Sequence, residues 1–312
     1  MFTEALYYPR VLIPDNLWLR RVILYWDKIK PIVPEEVEQE IPQTHISKEL
    51  KNYGMLEFIH PEHVLTDYYM GSELSQFFLN IVTSEKFRSK IGPPQKRNYE
   101  VRIHRHKFTD GLLEELKGSE LFKEINYNWL LFETNSGIIY LGFLASSLAN
   151  CLNLEPITDN KIYQDGFLWS QLIPSAHPEL SISSLVLEKL LPAPREEVSV
   201  KQIIKFKEKH EKELLAFRRL IRDTLKSLES VDESQFKRIL NSVKDDIKEQ
   251  SLILDRKLKE NKIKTIFNVL EVPFKLSKRD VVVMGGAIGA TIISIPVSVA
   301  LFGVNAAIKI GR

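Results

Sequence analysis

The sequence has little of what most enzymes and secreted proteins need. Its 312 residues include one cysteine, Cys151, which excludes an internal disulfide and a cysteine-rich zinc site. No phosphate-binding P-loop, GxSxG, HExxH or GxGxxG motif is present. The start, MFTEALYYPRVL, lacks the pattern of a secretory signal. We therefore expect a non-enzymatic protein without a cofactor, whose folded part is cytoplasmic.

Charge is divided unevenly along the chain. Residues 1–199 carry 20 Lys and Arg against 27 Asp and Glu, a formal charge of −7, whereas residues 200–312 carry 23 against 14, a charge of +9. This asymmetry predicts that the later part of the chain meets an anionic partner, either a phospholipid surface or nucleic acid.

Strand-like and helix-like segments alternate in the first part. Apolar and aromatic runs predict strands at EALYYP, MLEFI, YEVRIHRH, YNWLLFE and SSLVLEKLL, with helical patterns between them. Asp15 is the expected cap of the first helix and Thr109 that of a helix over 109–117. This alternation predicts an α/β or α+β domain over residues 1–192.

The pattern of residues changes after the proline-containing segment LPAPREE. Ser199 with Gln202, and Ser230 with Glu233, have the spacing of a capping box and predict helices over about 200–229 and 232–260. Each has an apolar stripe, so we expect the two helices to pair with each other or to pack on the front domain. Residues 198–272 are thus predicted to form a basic helical region.

The C-terminal segment, residues 275–312, contains 24 consecutive residues without an ionisable side chain, Val281–Val304. A helix of that length spans roughly 36 Å at about 1.5 Å per residue, and a bilayer core is about 30 Å thick. Lys275, Lys278 and Arg279 precede the run, which favours a cytoplasmic body with a tail anchor in the cell membrane. The alternative is a buried helix or strand pair of a soluble domain.

Small residues recur within the apolar run. They are Gly285, Gly286, Gly289, Ala290, Ser294 and Ser298. Because small residues at every fourth position let membrane helices approach closely, this pattern predicts a homo-oligomer in the membrane.

Two basic clusters are candidate phosphate or anionic-lipid sites. The first comprises Lys96, Arg97, Arg102, Arg105 and Lys107, and the second comprises Arg256, Lys257 and Lys259, followed by Lys262 and Lys264. A strand through the first cluster would place Arg102, His104 and His106 on one face. The spacing of His60, His63, His104 and His106 matches no zinc motif, so no metal is expected.

Four segments carry a family resemblance: ALYYPRVLIPDNLWLRRVILYWDKIKPIVP, RIHRHKFTDGLLEELKGSELF, NWLLFETNSGIIYLGFLASSLA and LVLEKLLPAPREEVSVKQIIKFKEKHEKELLAFRRLI. Over roughly residues 1–230, they resemble a large uncharacterised prokaryotic family. The layout also resembles membrane effectors encoded beside Argonaute proteins in antiviral defence. The resemblance implies a regulating protein partner, for which an Argonaute complex is a candidate, and abortive infection through membrane depolarisation. It supplies no catalytic residue.

Two functions are therefore compatible with the sequence. The first is a membrane-targeted effector that binds anionic phospholipid and inserts its C-terminal segment to permeabilise the membrane. The alternative is a membrane-anchored nucleic-acid-binding protein or nuclease, in which Arg102, Arg105 and Lys107 contact phosphates. A plain structural anchor for another protein is a third possibility.

Overall fold

The computed structural model describes residues 4–42, 44–66, 68–160, 162–163, 192–229 and 233–267. This part of the chain is mixed α/β and contains eleven helices. The predicted strand at 183–191 and the predicted membrane segment 275–312 lie outside the described residues.

The chain opens with a strand–helix–strand unit. Strand β1 (Glu4–Tyr7) and strand β2 (Lys28–Pro31) are parallel, and helix α1 (Leu17–Tyr25) connects them. Asn16 caps α1 by accepting a hydrogen bond from Leu19 N at 3.2 Å. The prediction that Asp15 caps this helix is wrong by one residue, because the Asp15 carboxylate instead pairs with Arg20 at 2.7 Å.

A small parallel sheet forms around β1. Strand β6 (Glu155–Ile157) pairs with β1 on the side opposite β2, which gives the order β2-β1-β6. The segment 55–59 extends the sheet next to β2 through isolated parallel bridges at Leu56 and Ile59. The strand predicted at MLEFI is therefore present only as this irregular edge.

Among the described residues, the segment between β2 and β6 contains seven α-helices and an antiparallel sheet. Its helices are α2 (Glu35–Glu38), α3 (His45–Asn52), α4 (Pro61–Leu65), α5 (Tyr68–Val82), α6 (Glu85–Ile91), α7 (Asp110–Leu116) and α8 (Thr134–Leu152). Its strands are β3 (Tyr99–His104), β4 (Phe122–Glu124) and β5 (Trp129–Glu133), in the order β3-β5-β4. Thr109 caps α7 as predicted, since it accepts a hydrogen bond from Leu112 N at 3.2 Å.

The later part is helical, with a two-stranded ladder at its ends. Strand β7 (Ala193–Pro194) is followed by α9 (Val200–Lys209), α10 (Glu211–Glu229) and α11 (Glu233–Glu260), and then by strand β8 (Thr265–Ile266), which is antiparallel to β7. The capping box of Ser199 and Gln202 is confirmed. The single helix predicted over 200–229 is broken at His210, which leaves the helical conformation and caps α9.

Two hydrophobic cores lie on opposite faces of the parallel sheet. Along β1, Ala5 and Tyr7 enter one core, and Leu6 enters the other. The first core contains apolar residues of α1, α9, α10 and α11, whereas the second contains those of α5, α7, α8 and the antiparallel sheet. The helical region therefore packs on the front domain, as one of the two sequence-based alternatives stated.

Candidate functional site

The two basic clusters predicted from the sequence lie on opposite sides of the molecule. Leu254 and Leu258, which hold the second cluster on α11, belong to the core that contains α1. Val101 and Ile103, which hold the first cluster on β3, belong to the core on the other face of the parallel sheet. The structure thus does not bring the two clusters into one site.

The first cluster is built on the outer face of the antiparallel sheet. Arg102 pairs across the sheet with Leu131, and Leu131 pairs with Lys123, so the three side chains share that face. The guanidinium of Arg102 lies 4.2 Å from the ring centre of Trp129, and the ammonium of Lys123 lies 4.0 Å from that of Tyr99. Aromatic rings therefore hold both cations at the surface by cation–π contacts.

The hairpin between β4 and β5 continues this face. Asn126 Oδ1 accepts hydrogen bonds from the backbone of Asn128 and Trp129, at 3.0 and 2.9 Å, and so fixes the turn. Arg105 Nε donates to the carbonyl oxygen of Tyr127 at 2.9 Å, and its guanidinium lies over the Tyr127 ring. With 82% of its surface exposed, Tyr127 is the most accessible large apolar side chain in the described part. We call Arg102, Arg105, Lys123 and their aromatic partners the sheet-face cluster.

Other members of the predicted first cluster have different positions. Lys96 is exposed in the 3-10 turn before β3, next to the cluster. Arg97 is bound to three carbonyl oxygens, those of Gly92, Ser119 and Glu120, and therefore supports the backbone. The strand ends at His104, which is buried. His104 pairs with Trp129 and Arg102 pairs with Leu131, so these two side chains share one face of β3 as expected, whereas His106 lies in the turn beyond the strand.

Lys107 is in the interior rather than on the surface where the sequence placed it. It is 4% exposed, and its Nζ donates to the carbonyl oxygen of Pro9 at 3.5 Å. Burial lowers the pKa of Lys107 to about 8, and the nearby carboxylate of Glu62 opposes that shift. It therefore cannot contact a phosphate group together with Arg102.

The second cluster surrounds the point where the chain leaves β8 toward the C-terminal segment. Arg256, Lys259, Lys262 and Lys264 are exposed there. Lys257 instead donates to Glu213 at 2.5 Å, and this bond lowers the pKa of Glu213 to about 2. Lys259 pairs with Asp255 at 2.7 Å but keeps 62% of its side chain exposed.

Apolar side chains are exposed among these cations. Leu252 and Ile253 on α11 are 42% and 38% exposed, and Ile266 on β8 is 42% exposed. Leu252, Arg256 and Lys259 recur at helical spacing and so lie along one side of α11. We call this mixed apolar and cationic area the junction surface. Sequence reasoning found its charges but not its apolar residues, because Leu252 and Ile253 look like core positions.

The remaining predicted site residues lie beyond the described part. These are Lys275, Lys278, Arg279, Gly285, Gly286, Gly289, Ala290, Ser294 and Ser298. Within the described residues, one helix is long and apolar enough to cross a membrane, Thr134–Leu152 (α8), and 72% of its apolar window is buried. It is weak evidence for a membrane span, since a core helix of a soluble protein passes the same test.

The histidines lie next to carboxylates. His60 Nε2 is 3.3 Å from Glu38, His63 Nε2 is 3.2 Å from Glu35, and these acidic residues belong to the short helix α2. No group of three or more His, Cys, Asp or Glu side chains with metal-binding geometry is found among the described residues. The pairs join α2 to α4.

A charged cleft that the sequence did not predict lies where α9 and α10 meet the segment between α1 and β2. Asp27, between α1 and β2, faces Lys207 of α9 and Arg218 of α10. The three residues are far apart in the sequence, so no local motif could have indicated them.

Comparison with known proteins gives one match. The model of a family of unknown function, DUF6236, matches residues 175–309. This range includes the three late helices and the whole uncharged run Val281–Val304, whereas the resemblance stated from the sequence covered roughly residues 1–230. No curated protein and no solved structure matches the chain. The chain is thus similar, over its later part, to a family without an assigned function.

Proposed function

We propose that this protein is a membrane-directed effector whose junction surface meets anionic phospholipid while residues 281–304 insert into the bilayer. The observation that carries the proposal is that exposed Leu252, Ile253 and Ile266 lie among cations on α11 and β8, the last described elements before the uncharged run of the sequence. Side chains of this kind suit the boundary between headgroups and acyl chains.

Electrostatic attraction supports the same surface. Each Lys or Arg held near an anionic leaflet contributes about 1 kcal/mol, within a Debye length of about 8 Å. Arg256, Lys259, Lys262 and Lys264 together would supply several kcal/mol before any insertion. The sheet-face cluster, on the other face of the parallel sheet, takes no part in this approach.

A liposome flotation assay tests the proposal. We expect the full chain to float with acidic liposomes more strongly than with neutral ones, and a chain lacking residues 281–312 to bind acidic liposomes only weakly and reversibly. The charge reversals Arg256→Glu and Lys259→Glu should weaken binding about tenfold or more, because two attractive charges become repulsive.

The matched control is the double reversal Arg102→Glu and Lys123→Glu, which makes the same change in net charge on the sheet-face cluster. It should leave flotation unchanged. Equal losses of liposome binding in the two double variants would mean that net charge alone drives binding. Depolarisation of cells by the chain lacking residues 281–312 would contradict insertion.

The resemblance to effectors encoded beside Argonaute proteins extends this proposal to antiviral defence. In that form, a regulating partner such as an Argonaute complex restrains the protein until invader nucleic acid is recognised. Small residues of the uncharged run would then support oligomers that depolarise the membrane. Co-expression with the partner should suppress the loss of membrane potential until a guide-matched target is supplied.

The sheet-face cluster favours a second candidate function, nucleic-acid binding by a membrane-anchored protein. Three cations, each against an aromatic ring, offer both phosphate contacts and stacking surfaces for bases. Single-stranded RNA or DNA should then bind with an affinity that falls steeply with salt, and Arg102→Glu should abolish binding. Salt-independent or undetectable binding excludes this candidate.

A further inference from the structure

A cleft of about 330 Å³ opens between α9, α10 and the start of β2. This volume lies within the range of about 300–1,000 Å³ that is usual for small-molecule sites. The membrane proposal assigns the cleft no role. Its lining divides into a cationic part, an apolar wall and exposed carboxylates at the mouth.

The cationic part contains more positive than negative charge. Arg218 binds Asp27 through two hydrogen bonds of 3.1 Å, and Lys207 Nζ lies 3.2 Å from the same carboxylate. The two cationic side chains are 6% and 14% exposed, whereas that of Asp27 is 48% exposed. One half-exposed carboxylate therefore faces two buried cations, an arrangement that a further anion would stabilise.

Hydrogen-bond donors remain available on both cations. Nε of Arg218 is buried and has no hydrogen-bond partner among the described residues. Nζ of Lys207 donates to the carbonyl oxygen of Trp26 and to Asp27, which uses two of its three N–H groups. A carboxylate oxygen is the simplest acceptor for such donors, because it forms short charge-assisted hydrogen bonds.

The rest of the lining restricts the kind of anion. Met55 and Leu214 are buried, and Ile204 and Leu215 are half-buried, so together they form an apolar wall. Glu208 and Glu211 are exposed at the mouth and would repel a multiply charged ligand such as a phosphate ester. The wall fits an alkyl chain, and the mouth admits a single negative charge.

From this arrangement we infer that the cleft binds an aliphatic monocarboxylate. Its carboxylate binds Lys207 and Arg218 beside Asp27, and its alkyl chain lies along Ile204 and Leu215. Binding involves no covalent step. The inference is independent of the membrane proposal, because the cleft includes neither the junction surface nor the C-terminal segment.

Calorimetric titration of the full chain with octanoate tests the inference. We expect saturable binding at pH 7, and weaker binding of the neutral analogue 1-octanol, of octylamine and of inorganic phosphate. Lys207→Met should weaken octanoate binding about ten- to a hundredfold, the range that the loss of one charge-assisted hydrogen bond predicts.

The matched control is Lys201→Met, which removes one positive charge from the exposed side of the same helix and should leave octanoate affinity unchanged. Leu215→Gln tests the apolar wall without changing the charge of the cleft, and it should also weaken octanoate binding. This variant keeps the inference testable if Lys207→Met does not fold.

A pH series gives an independent readout. Burial lowers the pKa of Lys207 to about 8, and the charged groups that face it in the cleft are Asp27, Arg218, Glu208 and Glu211. Octanoate binding should therefore weaken as the pH rises through about 8, and Lys207→Arg should remove this dependence. Equal affinity for octanoate and 1-octanol, or equal affinity of the Lys207→Met and Lys201→Met variants, would overturn the inference.

Discussion

Gly137 of α8 lies directly against Val101 of β3: a Cβ at position 137 would come within 2.6 Å of the Val101 Cβ. This close approach is where α8 packs on the antiparallel sheet, since the same added atom would also be 3.0 Å from Phe132 Cβ. The close packing of α8 on the sheet therefore requires a glycine, which has no Cβ, at position 137.

Gly137→Ala should destabilise the protein. The added methyl group has no space and forces α8 away from β3, which we expect to cost about 1–3 kcal/mol in the free energy of unfolding. Gly111→Ala is the control, because a Cβ there meets nothing within 4 Å. Urea denaturation should show the second variant as neutral or slightly stabilised, and equal effects would contradict the packing argument.

Stability should rise with pH in the mildly alkaline range. Burial lowers the pKa values of Lys107 and Lys207 from 10.5 to about 8, so between these values the unfolded chain binds more protons than the folded chain. The free energy of unfolding then increases by up to about 1.4 kcal/mol per pH unit for each lysine. Urea denaturation between pH 8 and 9.5, below the ordinary pKa of tyrosine, measures this slope.

Lys107→Met should reduce that slope by about half and leave stability at pH 7 equal or higher, because a poorly bonded buried cation is removed. Exposed Lys123 provides the control, and Lys123→Met should leave the slope unchanged. An unaltered slope in the Lys107→Met variant would show that Lys107 titrates normally.

Asp27→Asn should weaken the attachment of the late helices to the front domain. The substitution leaves Lys207 and Arg218 without their counter-charge, which should lower the free energy of unfolding by about 2–4 kcal/mol. This cost is below that of breaking a fully buried pair because Asp27 is half exposed. The exposed pair of Glu114 and Lys117 is the comparison, and Glu114→Gln should cost less than about 0.5 kcal/mol.

The same carboxylate gives the chain an acid sensitivity. Burial alone would raise the pKa of the Asp27 carboxyl, but hydrogen bonds and charges from Arg218 and Lys207 hold it below its ordinary value of 3.8. Its contribution to stability is complete above that value and is lost as the pH falls through the folded pKa. Acid unfolding of Asp27→Asn, followed by circular dichroism, should therefore depend less on pH below 4 than that of the parent chain.

Ser199→Ala should cost about 1 kcal/mol. The Ser199 hydroxyl accepts a hydrogen bond from Gln202 N, so the substitution removes that side-chain acceptor at the start of α9, while the Gln202 side chain can still accept from the backbone N–H of residue 199. Ser199→Asn keeps an acceptor and should retain most of the stability in thermal unfolding. Equal melting temperatures for the Ala variant and the parent chain would contradict a role for the cap.

Local patterns in the sequence predicted local structure well. Thr109 and Ser199 cap helices as expected, because a cap depends on residues three positions apart. The first helix is capped by Asn16 rather than Asp15 because Arg20 draws the Asp15 carboxylate away. The break at His210 was not predicted, since the apolar stripe passes through it without a proline or glycine.

Sites formed by distant residues could not be predicted in this way. Lys107 belongs to a basic run in the sequence, yet it is buried, because Pro9 and Glu62 come from remote elements that meet β3 only in the fold. The cleft around Asp27 likewise joins residues 191 positions apart. Charge composition indicated an anionic partner, but only the three-dimensional arrangement separates the junction surface from the sheet-face cluster.

The ladder between β7 and β8 has a mechanical consequence. Ala193 pairs with Ile266 and Pro194 with Thr265, and Thr265 is tied to α11 through the Asp255 carboxylate. If residues 281–304 insert into a bilayer as proposed, a pull on the chain beyond residue 267 would load this short ladder before the core elements. Such a pull would separate β8 from β7 first, and the hydrogen bond between Thr265 and Asp255 would transmit part of the force to α11.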